Sequence, residues 1–242
     1  SARGSAYAQS TGSAGIFLAL WLRVGYTETM NRILYYFQNP LQLLYMLPAV
    51  LLGLTFHEWG HAYAAYRLGD PTAKNMGRLS LNPLDHFDPL GVLCMLLLGF
   101  GWAKPVGINP NNFRNRREGI LKVSFAGPAA NLFLCFLAAL IVALMTKFGV
   151  MTKGVYSFLL WTQLYNVWFA FFNLIPIPPL DGSKILGELL PPRTAYQYEN
   201  MVGQYGFYIL LALVFTGIVG VIIRPLASIY MTLVNSILGI VF

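Results

Sequence analysis

The sequence predicts an all-α polytopic membrane protein, and three observations carry that prediction. Of its 242 residues, 57% are hydrophobic and only 10% charged. Mean hydropathy is +0.59, and a soluble domain of that make-up would precipitate. About four or five apolar runs approach or pass the roughly 18 residues that a spanning helix needs. The third observation is charge, a net +7 with a pI near 9.5. In a soluble protein that balance would suggest nucleic acid. In a chain this apolar it points to Lys and Arg gathered in loops that face the cytoplasm and anionic lipid, so the bilayer is the expected partner and nucleic acid is not. Cys94 and Cys135 lie within apolar segments without CxxC or ligand spacing and read as small packing residues.

Along the chain, residues 1–30 form a leader. It opens on the low-complexity stretch SARGSAYAQSTGSAG, and the following IFLALWLRVG is too short to span. A single Arg3 before it, with Arg23 inside it and Glu28 after it, makes a poor secretory signal, so the leader is expected to be disordered or interfacial. A helix is expected from Leu41 to about Leu68, entered through Asn39-Pro40 and left through LGDP at 68–71. Residues 72–88 are polar and turn-rich, and GRLSLNP alternates like a small strand or hairpin element. The apolar piece Pro89–Trp102 allows only about 21 Å of helix at 1.5 Å per residue, short for a span. A basic loop at 104–119 leads to spans near 121–146 and 155–175, and a last region, 206–242, is expected to break at Arg224-Pro225 into one or two C-terminal helices. The organisation is thus a leader, a core over 31–190 and a C-terminal membrane region over 191–242, with no internal repeat.

The stretch FHEWGHAY, residues 56–63, puts two histidines and a glutamate inside an apolar helix. An ionisable side chain at membrane depth is costly unless paired, so such a cluster marks a site. Residues four apart share a helix face, and His57 and His61 can therefore present two imidazoles to one ion with Glu58 beside them. This is the zinc-metallopeptidase arrangement, and by chance the pattern arises on the order of once in a thousand such chains. A catalytic zinc takes three protein ligands and keeps a fourth position for water, so a third must come from elsewhere. Candidates are His86, Asp70, Asp85, Asp88 and Asp181. Asp181 stands out because it follows NLIPIPP, where prolines break a helix at membrane depth; a plain turn that caps the next helix is the bland alternative. A metal-binding membrane protein without peptidase activity, a transporter or a scaffold, is the rival reading of the cluster.

HEWGH (57–61), GPAAN (127–131) and NLIPIPPLDG (173–182), in that order on separate apolar segments, resemble the site-2 protease family of intramembrane zinc metalloproteases. The resemblance covers about residues 41–190, and DHFDPLG (85–91) and GWAKPVGINP (101–110) resemble the compact bacterial branch without an inserted peptide-binding domain. It implies one Zn2+ per chain on His57, His61 and Asp181, with Glu58 as general base toward a zinc-activated water, and Asn173 as a polar active-site residue. It also implies a membrane-embedded protein substrate and a bacterial plasma membrane. A substrate helix must unwind before its carbonyl can be attacked, and the strand-like stretch around Leu79 and Leu81 is a candidate to hold it by edge pairing. Asn131 is a candidate substrate contact, or a simple cross-helix bond within a GPAAN that serves packing.

Topology is a separate constraint. The three motifs meet on one side only if 89–102 does not cross, so a re-entrant or half-depth helix is predicted there. Ten Lys/Arg then lie on the site side and six on the other, which places the site toward the cytoplasm. Letting 89–102 cross leaves that count unchanged, so the geometry of the site, not charge, selects the model.

Overall fold

The computed structural model describes residues 38–98 and 101–241; the expected leader, 1–30, lies outside the described residues. The chain forms seven helices of more than one turn among them. These are α1 (Pro40–Arg67), α2 (Pro89–Leu98), α3 (Arg116–Lys147), α4 (Lys153–Asn173), α5 (Asp181–Leu189), α6 (Pro192–Phe215) and α7 (Ile218–Val241). Three of them are long and apolar enough to cross a membrane: α1, α3 and α7 over Ile218–Gly239. The expected span near 155–175 is the 21-residue α4, which is long enough but falls short in apolarity. The reason is that Thr162, Gln163 and Asn166 are buried on its inner face.

Helices α1, α3 and α4 pack on one another pairwise. Water exclusion does not drive helices together in lipid, where the tails are as apolar as the side chains, so close van der Waals approach must do so. Gly60 supplies it: a Cβ there would stand 2.7 Å from the Ala126 carbonyl oxygen and 2.9 Å from Ala130 Cβ. Helix α2 adds a short plug, its Met95 clustering with Met46 and Val50 of α1, and Trp161, Tyr165 and Phe169 of α4 pack against that cluster. The ten residues of α2 make about 15 Å of helix, half the hydrocarbon thickness. Gly91 lies against the Trp102 backbone and Gly101 against the Gly91 carbonyl, so the chain returns beside its own entry. The segment's length and the nearness of its two ends are those expected of a half-depth helix.

Two expectations are corrected. No strand forms among the described residues, and 78–82 is irregular. The buried Arg78 organises this segment instead, its guanidinium donating to the carbonyls of Asp85, Lys104 and Pro105, while the Lys104 amide donates to the His86 carbonyl at 3.0 Å. A strand needs a ladder partner, and here a side chain takes that place. The C-terminal break falls at Gly217 (φ +76°), not at Arg224-Pro225; Pro225 sits inside a continuous α7. A positive φ is open to glycine and ends a helix, whereas one proline removes a single helical hydrogen bond.

Overpacking costs about 1–3 kcal/mol, and the helix propensity gained by replacing glycine with alanine returns at most about 1 kcal/mol. Gly60→Ala is therefore expected to lower the thermal unfolding temperature of the detergent-purified protein; an unchanged or raised Tm would show that α1 and α3 do not rely on this close approach.

Candidate metal centre

His57 and His61 face the bundle interior one turn apart on α1, and Asp181 is the first residue of α5, delivered there by the proline-rich break after α4. Each of the three is at most 7% exposed. His57 Nε2 and His61 Nε2 lie 3.1 and 3.0 Å from Asp181 Oδ2, and 3.0 Å from each other. Ligand atoms on a tetrahedral zinc at bond lengths near 2.0–2.1 Å stand about 3.3 Å apart. The triad is thus close to the edge lengths of a zinc tetrahedron.

The hydrogen bonds behind the rings fix what faces the centre. His61 Nδ1 meets the Val123 carbonyl at 2.8 Å. A carbonyl only accepts, so the ring hydrogen sits on Nδ1. His57 Nδ1 meets Asn131 Oδ1 at 2.7 Å. The Asn131 amide nitrogen already donates to the Gly53 carbonyl and to Asn166 Oδ1, both at 2.8 Å, so its oxygen accepts and His57 also carries its hydrogen on Nδ1. Asn166 in turn donates to the Thr162 carbonyl. Both Nε2 lone pairs therefore point with a carboxylate oxygen at one point, an arrangement of acceptors that a cation completes. Lys184 Nζ holds Asp181 Oδ1 at 3.0 Å, which leaves Oδ2 as the single ligand oxygen.

GPAAN accounts for this shell. A Cβ on Gly127 would overlap the His61 ring and stand 2.8 Å from His57 Cε1, so glycine leaves the imidazoles their room. Pro128, buried inside α3, cannot donate to the carbonyl four residues back and opens the helix ladder at the turn where Val123 receives His61. Asn131, completely buried, is the cross-helix bond that holds His57.

The other sequence candidates lie elsewhere. Glu58 is half-buried, and its Oε2 accepts from the Val106 amide at 2.9 Å. Asn173 closes α4, one amide hydrogen given to the Phe169 carbonyl at 3.0 Å. Leu79 is half-buried and Leu81 is 51% exposed, both in the irregular loop. His86 is buried and donates from Nε2 to the Ser80 carbonyl; Asp85 accepts from Asn82 and Asp88 from the Gly91 amide. Asp70 is a latch outside the span, accepting from Thr72, Asn109 and Asn112. Burial pushes its carboxyl up, but these hydrogen bonds outweigh it and hold it below the usual carboxylate range. Asn166 and Lys184 escaped the sequence reading, although a polar residue inside an apolar span and a lysine one helical turn after the aspartate were both visible.

Outer partners of metal-bound histidines contribute about 10–100-fold in metal affinity. Asn166→Leu is expected to weaken zinc binding by about that range, read by competition with a chelator, and Gly127→Ala to abolish it with all three ligands intact. Wild-type affinity in both would remove the support assigned to α3 and α4.

The comparisons agree with this geometry. The model of peptidase family M50 matches residues 143–216, the segment that carries Asn173 and Asp181. YwhC of Bacillus subtilis, named as a candidate zinc metalloprotease, is 39% identical over 206 residues, 82% of this chain and 92% of that protein. Rip2 of Mycolicibacterium smegmatis, with the same kind of name, is 35% identical over 172 residues, and the match spans 69% of this chain and 64% of Rip2. Zinc metalloprotease MJ0392 of Methanocaldococcus jannaschii is 25% identical over 147 residues, 61% of this chain and 34% of its own. No solved structure matches. With such identity across nine-tenths of one relative and a triad able to hold a metal assembled from two helices distant in the chain, the chain belongs to peptidase family M50, the site-2 proteases, and is a zinc metalloprotease.

Proposed function

We propose that the enzyme hydrolyses a peptide bond in or near a transmembrane segment of another protein, with Glu58 as general base. The observation that carries this reading is the convergence of the buried His57, His61 and Asp181 inside a bundle that includes helices apolar enough to cross a membrane. Zinc held by these residues supplies Lewis acidity, drawing the pKa of a water toward 7 and polarising the scissile carbonyl. Glu58, next to the first ligand, takes the water's proton and passes it to the leaving amine. The Val106 amide holds one of its carboxylate oxygens and leaves the other for the proton. Asn173 has a second amide hydrogen to give to the developing oxyanion or to the substrate backbone.

The substrate helix must unwind near Leu79 and Leu81. Among the described residues no main-chain hydrogen bond engages either, so this stretch is open to pair with an extended peptide even though it forms no strand with its own chain. On the topology expected from the sequence, ten of the sixteen Lys and Arg fall on the side that carries the site. The positive-inside rule turns that end to the cytoplasm, where the cut would release a soluble domain.

Glu58→Gln is expected to keep about one zinc per chain and to lose about 10²–10⁴-fold in cleavage of a model transmembrane substrate. Cleavage at the wild-type rate would overturn the base assignment. Asp181→Ala is expected to lose most of the zinc, measured by elemental analysis. Leu79→Pro is expected to raise KM for the same substrate with zinc intact; unchanged kinetics would refute edge pairing.

A further inference from the structure

At the site end of the bundle, α1 stops at Arg67 and α3 starts at Arg116. Between these two ends lies an open cleft of about 650 Å³. Its mouth carries Arg67, Arg114 and Lys122 against a single acid, Glu118. The acid does not neutralise it: the Glu118–Lys122 pair is 55% exposed on both sides, and a pair that open is weak enough to exchange partners. Arg67 spends one nitrogen on the Tyr63 hydroxyl at 3.0 Å and keeps further donors. Arg114 makes no hydrogen bond or ion pair among the described residues. The floor is apolar, with the buried Phe113 packed on Ala65 and Val123.

What lies next to the cleft tells a lipid from a soluble anion. One turn deeper on α1 is Tyr63, 41% exposed, and one turn deeper on α3 is Phe125, 49% exposed. Neither ring lines the cleft, but each lies near the site end of a helix long and apolar enough to cross a membrane, the position where aromatic side chains meet head groups. A free anion would meet the cations alone, whereas a lipid would also run along these rings.

We propose that this cleft binds the phosphate head group of an anionic membrane lipid. Arg67, Arg114 and Lys122 meet the phosphate oxygens, and Tyr63 and Phe125 lie along the glycerol and acyl stem. Basic pockets between the cytoplasmic ends of spanning helices suit such head groups, and each nearby cation adds about fivefold in affinity. The site is separate from the zinc centre, so its occupancy is measurable without cleavage.

The test titrates zinc-loaded protein in non-ionic detergent with short-chain phosphatidylglycerol, and with phosphatidylcholine as the neutral control, following bound lipid by native mass spectrometry. Saturation at one phosphatidylglycerol per chain is expected, with binding about 30-fold weaker in the Arg67→Gln/Lys122→Gln double variant. Lys147→Gln/Lys153→Gln, at the opposite end of the bundle, should bind as the wild type does. Retained zinc shows that a variant is folded. Should the cleft double variant lose its zinc, Arg114→Gln alone replaces it, with an expected loss of about fivefold. Wild-type affinity in the cleft variants, or equal losses at both ends of the bundle, would overturn the proposal. Displacement of the lipid by millimolar inorganic phosphate would make this a free-anion site and overturn the lipid assignment.

Discussion

The arrangement depends on where two imidazole hydrogens go. His57 gives its Nδ1 hydrogen to Asn131 and His61 gives its own to the Val123 carbonyl, so neither ring has a hydrogen left for Asp181 or for the other ring. Three acceptors about 3 Å apart in a buried site repel one another until a cation joins them, and in a low-dielectric interior both the repulsion and its relief are large. The ligand set is thus held ready for a metal by bonds that lie outside it. If either Nδ1 bond were lost, a ring could turn or change tautomer and offer a hydrogen where a lone pair is needed.

Keeping those bonds requires four chain segments to meet within a few ångströms, in a medium that does not press helices together. The structure uses missing atoms to do it. Gly60 lets α3 approach α1, Gly127 leaves room for the two rings, and Gly182 lets the start of α5 lie on the carbonyls of Leu174 and Ile175. The last contact explains the proline-rich break as well. Prolines at 176, 178 and 179 end α4 and keep it from continuing past the site, and Tyr198 of α6 donates to the Pro176 carbonyl that the break leaves free. Ile175 and Leu180 at either end of the break pack on Leu210, Val219 and Ile223, so α6 and α7 brace the turn that carries the third ligand.

The two histidines of the triad were legible in the sequence because their chemistry is scarce there, and Asp181 was singled out from four other candidates by the family resemblance. Two histidines four apart in an apolar run have few alternative explanations, whereas an aspartate after a proline-broken span can as well be a plain turn that caps the next helix. The outer partners were not legible, because each is an ordinary residue type whose role depends on a neighbour distant in the chain. Asn166 bonds to a residue 35 positions away, and the Val123 carbonyl is no side chain at all. Helices α1, α3 and α4 were predicted to within about five residues of their observed ends for the same reason that the loop was misread. Helix signals are local, whereas the alternation in GRLSLNP becomes a strand only if a partner strand exists, and Arg78 bonds to the chain there instead. The re-entrant element sits between these cases: its length was visible, but its return beside Gly91 is a tertiary fact.

The burial of the site is uneven, and the unevenness bears on how hydrolysis can occur inside a membrane protein. Asn131 and Asn166, behind His57, have no exposure at all, so that side is dry. On the other side, Lys184 reaches Asp181 with a side chain that is 54% exposed. An exposed ammonium cannot face hydrocarbon, so the α5 side of the centre must open to water or to the head-group layer. Asp181 therefore stands between a sealed wall that fixes ligand geometry and a wet wall from which the hydrolytic water can come. A peptide bond buried at mid-membrane in an intact helix would meet neither condition, since its carbonyl is bonded within the helix and far from that opening. On the proposed function, the same aspartate that would complete the metal site also sets the depth at which a substrate helix has to unwind.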